Sequence, residues 1–342
     1  MGAEWQAGSV ALLCVLVCVP ILQLICRRWN FYDSAGPLKI HSGPISRLGG
    51  IGIGLGIVTG AILGDHGLRQ HFGLWLLAFG VVWLAGFLDD TRGLSPFLRL
   101  AAQVVAGITL WAAGWRLPFA APAWLGVAAI CLTVVLFVNS FNFLDGSDGL
   151  SAGVGAVIAA TYILAYGSGS GTKGLGFTTA WCLLGVCLGF LVFNFPPASI
   201  FMGDSGSTIL GFCAAFLGID FITQSASYLG TTKWIFPVLI AAVPVVDGIT
   251  VILRRLGRGH SPLRGDRRHY YDLLLTRGWS PRQVALGSYL LTGLLSVTSL
   301  WMIQAGLKST GIALSAVIAG IVAAGIARGE NWRRRREVLA RR

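Results

Sequence analysis

The stretch Ala123-Trp-Leu-Gly-Val-Ala-Ala-Ile-Cys-Leu-Thr-Val-Val-Leu-Phe-Val138 runs without a break into Asn139-Ser140-Phe141-Asn142-Phe143-Leu144-Asp145-Gly146-Ser147-Asp148-Gly149. The first part carries no charge and approaches the roughly 20 residues a helix needs to cross about 30 Å of hydrocarbon. The second part gathers Asn139, Asn142, Asp145 and Asp148 with two glycines. These are hard oxygen donors on a bendable backbone, placed where a helix would leave a bilayer. One apolar run ending in one polar turn predicts helices that cross a membrane, with the chemistry at their ends.

Ten more apolar blocks accompany it, near residues 8–26, 47–64, 73–88, 98–116, 149–167, 176–193, 206–223, 232–253, 283–304 and 309–327. Of the 342 residues, 55% are apolar and 12% charged, about half the charged share of a soluble domain. So few charges cannot cover a water-exposed surface, which excludes a soluble enzyme, and the composition equally excludes a disordered chain. The expected fold is an all-α polytopic integral membrane protein of eleven transmembrane helices. Residues 1–342 form a single domain with a basic tail at 328–342. The first block lies between Glu4 and Arg27-Arg28, which reads as an uncleaved span, not a signal peptide. The seven Cys fall within or at the ends of spans without metal-ligand spacing and read as packing residues.

Lys and Arg set the expected orientation. Of 26 such residues, 21 fall on one set of loops and ends, including eight Arg at 254–282 and seven at 328–342. That set is placed in the cytoplasm, with the N-terminus outside and the C-terminus inside. The net charge of +12 then reflects topology and attraction to anionic lipid, and nucleic acid is not an expected partner.

With this parity the polar clusters converge. Asp89-Asp90 end the third span, Asn139 to Asp148 the fifth, Asp204 follows the seventh, and Asp247 to His269 end the ninth. All belong at the cytoplasmic face, where carboxylates escape the insertion cost of about 2.5–3.5 kcal/mol at a span centre. A soluble substrate could meet a membrane-bound one there. Asp89-Asp90 read as a hydrated span end, or as a pair for a divalent cation or a proton. The 139–149 turn reads as a capped turn or as donors for Mg²⁺, which borrows one or two protein oxygens plus phosphates. Gly203-Asp204-Ser205-Gly206-Ser207 opens a helix whose N–H groups favour anions, and Phe201 is core or a face for a base. Arg254, Arg255, Arg258, Arg264, Arg267, Arg268 and His269 form a positive-inside loop, or, taken with the acids, a phosphate-handling site.

Six ordered stretches carry a resemblance: His41 to Gly50, Phe87 to Asp90, Asn139 to Gly149, Pro197 to Gly206, Pro244-Val-Val-Asp247, and Asp266 to His269. Over residues 33–285 the chain resembles the polyprenyl-phosphate N-acetylhexosamine-1-phosphate transferases, the integral-membrane glycosyltransferase family 4. The resemblance implies transfer of a sugar phosphate, GlcNAc-1-phosphate foremost, from a UDP-N-acetylhexosamine to undecaprenyl or another polyprenyl phosphate. UMP would leave, in the first membrane step of a cell-envelope polysaccharide pathway. It implies Mg²⁺, with Mn²⁺ as a substitute, a multi-pass place in the bacterial inner membrane with an active site of cytoplasmic loops, and allows a homodimer. Residue by residue, Asp204 corresponds to the principal metal ligand and Asn142 to a second oxygen near the metal. Asp148 and Phe201 correspond to the uracil contacts, and Asp89 and Asp90 to the acidic pair at the lipid phosphate. Asp145 corresponds to a further acid, and His269 to a diphosphate contact. Lys39, His41 and Arg47 form the first basic loop, and Asn139, Arg264, Arg267 and Arg268 complete the expected substrate contacts. A lone His269 followed by Tyr270 and Tyr271 departs from the His-rich loop of many relatives and disfavours a UDP-muramoyl-pentapeptide donor. The lipid phosphate, with a second pKa near 6, is largely dianionic at neutral pH. Asp89 and Asp90 are therefore expected to position substrate or metal, ahead of a base or a covalent role. A proton-coupled transporter is the competing expectation.

Overall fold

The computed structural model describes residues 2–29, 45–64, 69–118, 122–170, 173–225, 229–230, 232–261 and 268–305. The described residues form twelve helices: α1 Ala3–Trp29, α2 Gly49–Gly64, α3 Arg69–Arg92, α4 Pro96–Ala112, α5 Ala123–Leu144, α6 Leu150–Gly167, α7 Leu175–Asn194, α8 Gly203–Gln224, α9 Thr232–Ile240, α10 Ala242–Leu256, α11 Tyr270–Leu275 and α12 Pro281–Ala305. Seven of them, α1, α3, α5, α6, α7, α8 and α12, are long and apolar enough to cross a membrane. The chain is thus a multi-pass membrane protein. The expected eleventh span at 309–327 and the basic tail at 328–342 lie outside the described residues, as do Lys39, His41, Arg264 and Arg267.

Two expectations change in detail. The span expected at 232–253 is two helices, α9 and α10, bent by 76°. Pro244 accounts for the break, since it offers no N–H to the carbonyl of Ile240 and its ring crowds that turn. The elements α2 and α4 are short, with 16 and 17 residues. The acids expected at helix ends are found there: Asp89 and Asp90 occupy the last turn of α3, and Asp204 the first turn of α8.

Helix α8 is the axis of the bundle, with every residue from Ser205 to Ile222 buried. It packs against α2, α3, α5 and α7. Close approach to α3 needs Gly86, where a Cβ would lie 2.7 Å from both the Asp204 carbonyl oxygen and Ser205 Cα. Tight crossings of this kind let backbones pack where lipid supplies no hydrophobic drive between helices. An aromatic cluster of Trp75, Phe79, Phe212 and Phe216 fills the space between α3 and α8.

Before α8 the chain pairs with a distant segment. Phe201 N–H donates to the Ser46 carbonyl (2.8 Å), and the N–H groups of Gly49 and Gly50 donate to the carbonyls of Phe201 and Met202 (3.1 and 2.9 Å). This short parallel contact brings Arg47 to the start of α8.

Candidate active site

Four helix ends meet at one end of the bundle. Asp90 accepts from the backbone N–H of Asp204 on Oδ1 (2.8 Å) and of Ser205 on Oδ2 (2.9 Å). A carboxylate against the first N–H groups of a helix satisfies orphan donors and suits the helix dipole. The preceding Gly203 has φ +68°, and a Cβ there would sit 2.6 Å from Asp90 Oδ2, so glycine is required on both counts. The N–H groups expected to attract an anionic ligand at this turn are thus taken by the protein's own carboxylate.

Asp89 is held differently. Its Oδ1 accepts from Leu94 N–H at 2.6 Å and its Oδ2 from Arg99 Nη1 at 2.7 Å. The same Arg99 nitrogen lies 3.0 Å from Asp204 Oδ2. Arg99 therefore bridges the acid at the end of α3 to the acid at the start of α8. Nothing local in the sequence links positions 89, 99 and 204, so this arginine carried no site signal.

The 139–149 turn joins the cluster from the C-terminal end of α5. Asn142 donates its amide to Ser207 Oγ (3.1 Å), which leaves its carbonyl oxygen as the acceptor. Asp145 caps the C-terminus of α5. Burial pushes its carboxyl well above the ordinary aspartate range, and the negative charges of Asp204, Asp90 and Asp148 add to the rise while Arg47 opposes it. Asp148 Oδ2 accepts from Ala198 N–H at 3.0 Å, so it braces the loop before Phe201, which is half-buried. Asn194, the last residue of α7, is a site residue that the sequence did not mark. It accepts from Gly149 N–H (2.9 Å) and donates to the Ile200 carbonyl (2.8 Å), tying the two polar turns together.

Two expected residues sit apart from the carboxylates. Asn139 spends its amide on Gln103 Oε1 and the Val135 carbonyl, both at 2.7 Å, a link between α4 and α5 deeper in the bundle. His269 is buried and bound to Asp247, with its ring 5.5 Å from that of Phe143. It thus borders the 139–149 turn. Arg268 offers its carbonyl to Arg254 Nη1.

The donor set suits a hard cation. Asp89, Asp90, Asp145 and Asp204 lie close enough to act on one another's charge, with Arg47 and Arg99 as the cations acting on them. Among the described residues no three His, Cys, Asp or Glu side chains form a ready cage. The arrangement interleaves acids and arginines at one end of a helical membrane bundle.

Comparison with known proteins is specific. Residues 72–222 match the model of glycosyl transferase family 4. The chain is 29% identical over 91% of its length to the probable undecaprenyl-phosphate N-acetylglucosaminyl 1-phosphate transferase of Bacillus subtilis (strain 168), covering 87% of that protein. It is 31% identical to a decaprenyl-phosphate N-acetylglucosaminephosphotransferase of Mycolicibacterium smegmatis, over 75% of this chain and 71% of the relative. To the undecaprenyl-phosphate alpha-N-acetylglucosaminyl 1-phosphate transferase of Escherichia coli K12 it is 29% identical, over 76% and 73%. The chain belongs to the polyprenyl-phosphate N-acetylhexosamine-1-phosphate transferases of glycosyl transferase family 4. The transporter expectation has no support from these relatives.

Proposed function

We propose that the protein transfers GlcNAc-1-phosphate from UDP-GlcNAc to a polyprenyl phosphate at the cytoplasmic face of a bacterial inner membrane, in a Mg²⁺-dependent reaction. The convergence of Asp89, Asp90, Asp145, Asp204 and Asn142 with Arg47 and Arg99 carries the reading, and the names of the relatives supply its substrates. The bias of 21 Lys and Arg to one set of loops and ends supports the cytoplasmic placement and the eleven-span topology.

An oxygen of the lipid phosphate attacks the β-phosphorus of the donor. A new O–P bond forms, the bond from that phosphorus to the bridging oxygen breaks, and UMP leaves with the bridging oxygen. Both substrates are anions, so charge must be neutralised before they can approach. Bound Mg²⁺, held by Asp204 and Asn142, would supply Lewis-acid stabilisation of the phosphates. Arg99, already shared between Asp89 and Asp204, supplies a second positive charge. The acceptor is mostly dianionic at neutral pH and needs little help from a base. Asp90, with both oxygens on backbone N–H groups, is best suited to hold the α8 N-terminus, and with it Asp204, in place.

The test is incubation of membranes bearing the protein with radiolabelled UDP-GlcNAc and undecaprenyl phosphate. Label in the lipid fraction with stoichiometric UMP, lost on adding EDTA and restored by Mg²⁺, is expected. Folded protein that yields neither product with any UDP-N-acetylhexosamine would overturn the reading.

A further inference from the structure

The Pro244-Val-Val-Asp247 motif has no part in the reaction as proposed, yet its carboxylate is 2% exposed. Burying an ionised carboxylate is costly unless hydrogen bonds or a counter-charge compensate it. Asp247 lies in the first part of α10, beyond the 76° break, and both its oxygens go to one neighbouring segment. Oδ2 lies 2.7 Å from His269 Nδ1, and Oδ1 accepts from Tyr270 N–H at 2.9 Å. One side chain thus grips the imidazole and the main chain beside it.

A carboxylate only accepts, so His269 Nδ1 carries the proton in that bond. The ring nitrogen not bound to Asp247 is Nε2, and the imidazole also takes part in the capping box with Asp272 that opens α11. The ring cannot swivel freely. It is stacked on Tyr271 with centroids 5.2 Å apart and planes within 2°, and it meets Phe143 on another side. Tyr271 in turn donates to the Phe143 carbonyl at 3.0 Å, and a Cβ on Gly146 would collide with its hydroxyl. Phe143 stands between Asn142 and Asp145 in the 139–149 turn. The backbone N–H of His269 is satisfied by Asp272 Oδ2 at 3.1 Å. A single pair of bonds from Asp247 therefore registers the imidazole against the 139–149 turn, as carboxylates orient working histidines elsewhere.

We propose that Asp247 is a positioning residue of the transfer reaction: it holds His269 with Nδ1 protonated and presents Nε2 to the phosphate groups of the donor. This rests on the transferase reading above. Asp247 touches no substrate itself and acts through His269.

The experiment is a double-mutant cycle on the full chain in membranes, using UDP-GlcNAc and undecaprenyl phosphate, with Asp247→Asn, His269→Gln and the pair. Each single change is expected to lower kcat by about 10–100-fold while KM for UDP-GlcNAc stays within about threefold. The pair should be no slower than His269→Gln alone, because the Asp247 effect on turnover passes through the imidazole. A merely structural aspartate would slow the His269→Gln background by its full single-mutant factor, and that multiplicative result would overturn the proposal. Should Asp247→Asn not fold, Asp247→Glu takes its place and is judged by the same comparison in the two backgrounds. Wild-type protein that transfers nothing would sink the transferase reading instead. Transfer with a multiplicative cycle would remove only the Asp247 role.

Discussion

Asp204 and Asp220 stand on the same helix, about 24 Å apart at 1.5 Å per residue, and their surroundings are opposites. Asp220 is buried and accepts from Trp115 Nε1 at 2.8 Å and Tyr166 OH at 2.7 Å. A Cβ on Gly176 would fall 2.0 Å from its Oδ2, and no basic side chain is among its described hydrogen-bond partners. Asp204 shares one arginine nitrogen with Asp89, and the carboxylates of Asp90 and Asp145 stand near enough to interact with it. The Asp220 end is closed by neutral donors that lock the turn after α4, and α6, to α8. The Asp204 end gathers four carboxylates, Asp89, Asp90, Asp145 and Asp204, around Arg47 and Arg99. A buried acid in a membrane protein marks function by default, and here the partners separate a tie from a site.

The comparison can be broken most forcefully at Asp204. Asp204→Asn should cut turnover by about 100-fold or more with little change in thermal melting, read by the lipid-label assay beside a detergent melt. Activity within threefold of wild type would remove the metal assignment.

Asp90→Asn tests whether the acid next to it is chemistry or scaffolding. Loss of a charged cap on α8 should cost about 1–2 kcal/mol of stability and lower turnover through misplaced Asp204. The residual rate should keep the wild-type pH dependence, whereas a rate that climbs back as pH rises would point to a lost base.

At the far end, Asp220→Ala leaves Trp115 Nε1 and Tyr166 OH without their acceptor, at about 1–3 kcal/mol for each buried group left unpaired. The melting temperature should fall clearly while kcat, measured below the new melting point, stays within about twofold. A kcat loss as large as that of Asp204→Asn would erase the distinction between the two ends.

Asp145 gives the smallest and most directional effect. Its carboxyl is raised in the folded protein, so the folded state favours the protonated form. That contribution is full below the unfolded aspartate pKa near 3.9 and is lost as pH rises through the folded value. Asp145→Asn should therefore melt higher than wild type at neutral pH, with the gain shrinking toward about pH 4. A gain that is constant across that range would place the origin of the effect elsewhere.

Much of this molecule was legible in one dimension. Ten of the eleven expected apolar blocks coincide with described helices or, at 232–253, with a bent pair. Span length and charge poverty are local properties that lipid imposes on any sequence. The polar turns at 89–90, 139–149 and 204 were likewise visible, and the parity of the spans brought them to one face. The break between α9 and α10 could have been suspected from Pro237 and Pro244, but its angle depends on packing. Partnerships were not legible. That Asp90 caps α8, Arg99 joins Asp89 to Asp204, Asn139 turns to Gln103, and Asp247 holds His269 depends on side chains separated by 10 to 115 positions.

The sequence by itself determined a helical membrane protein with its acids and arginines at helix ends, because hydrophobic length and charge placement act residue by residue against the bilayer. Only the tertiary structure decided which carboxylates are consumed as caps and ties and which are left to meet substrates. That choice is made by hydrogen-bond geometry between helices, and geometry at 2.7–3.1 Å has no signature in the order of residues along a chain.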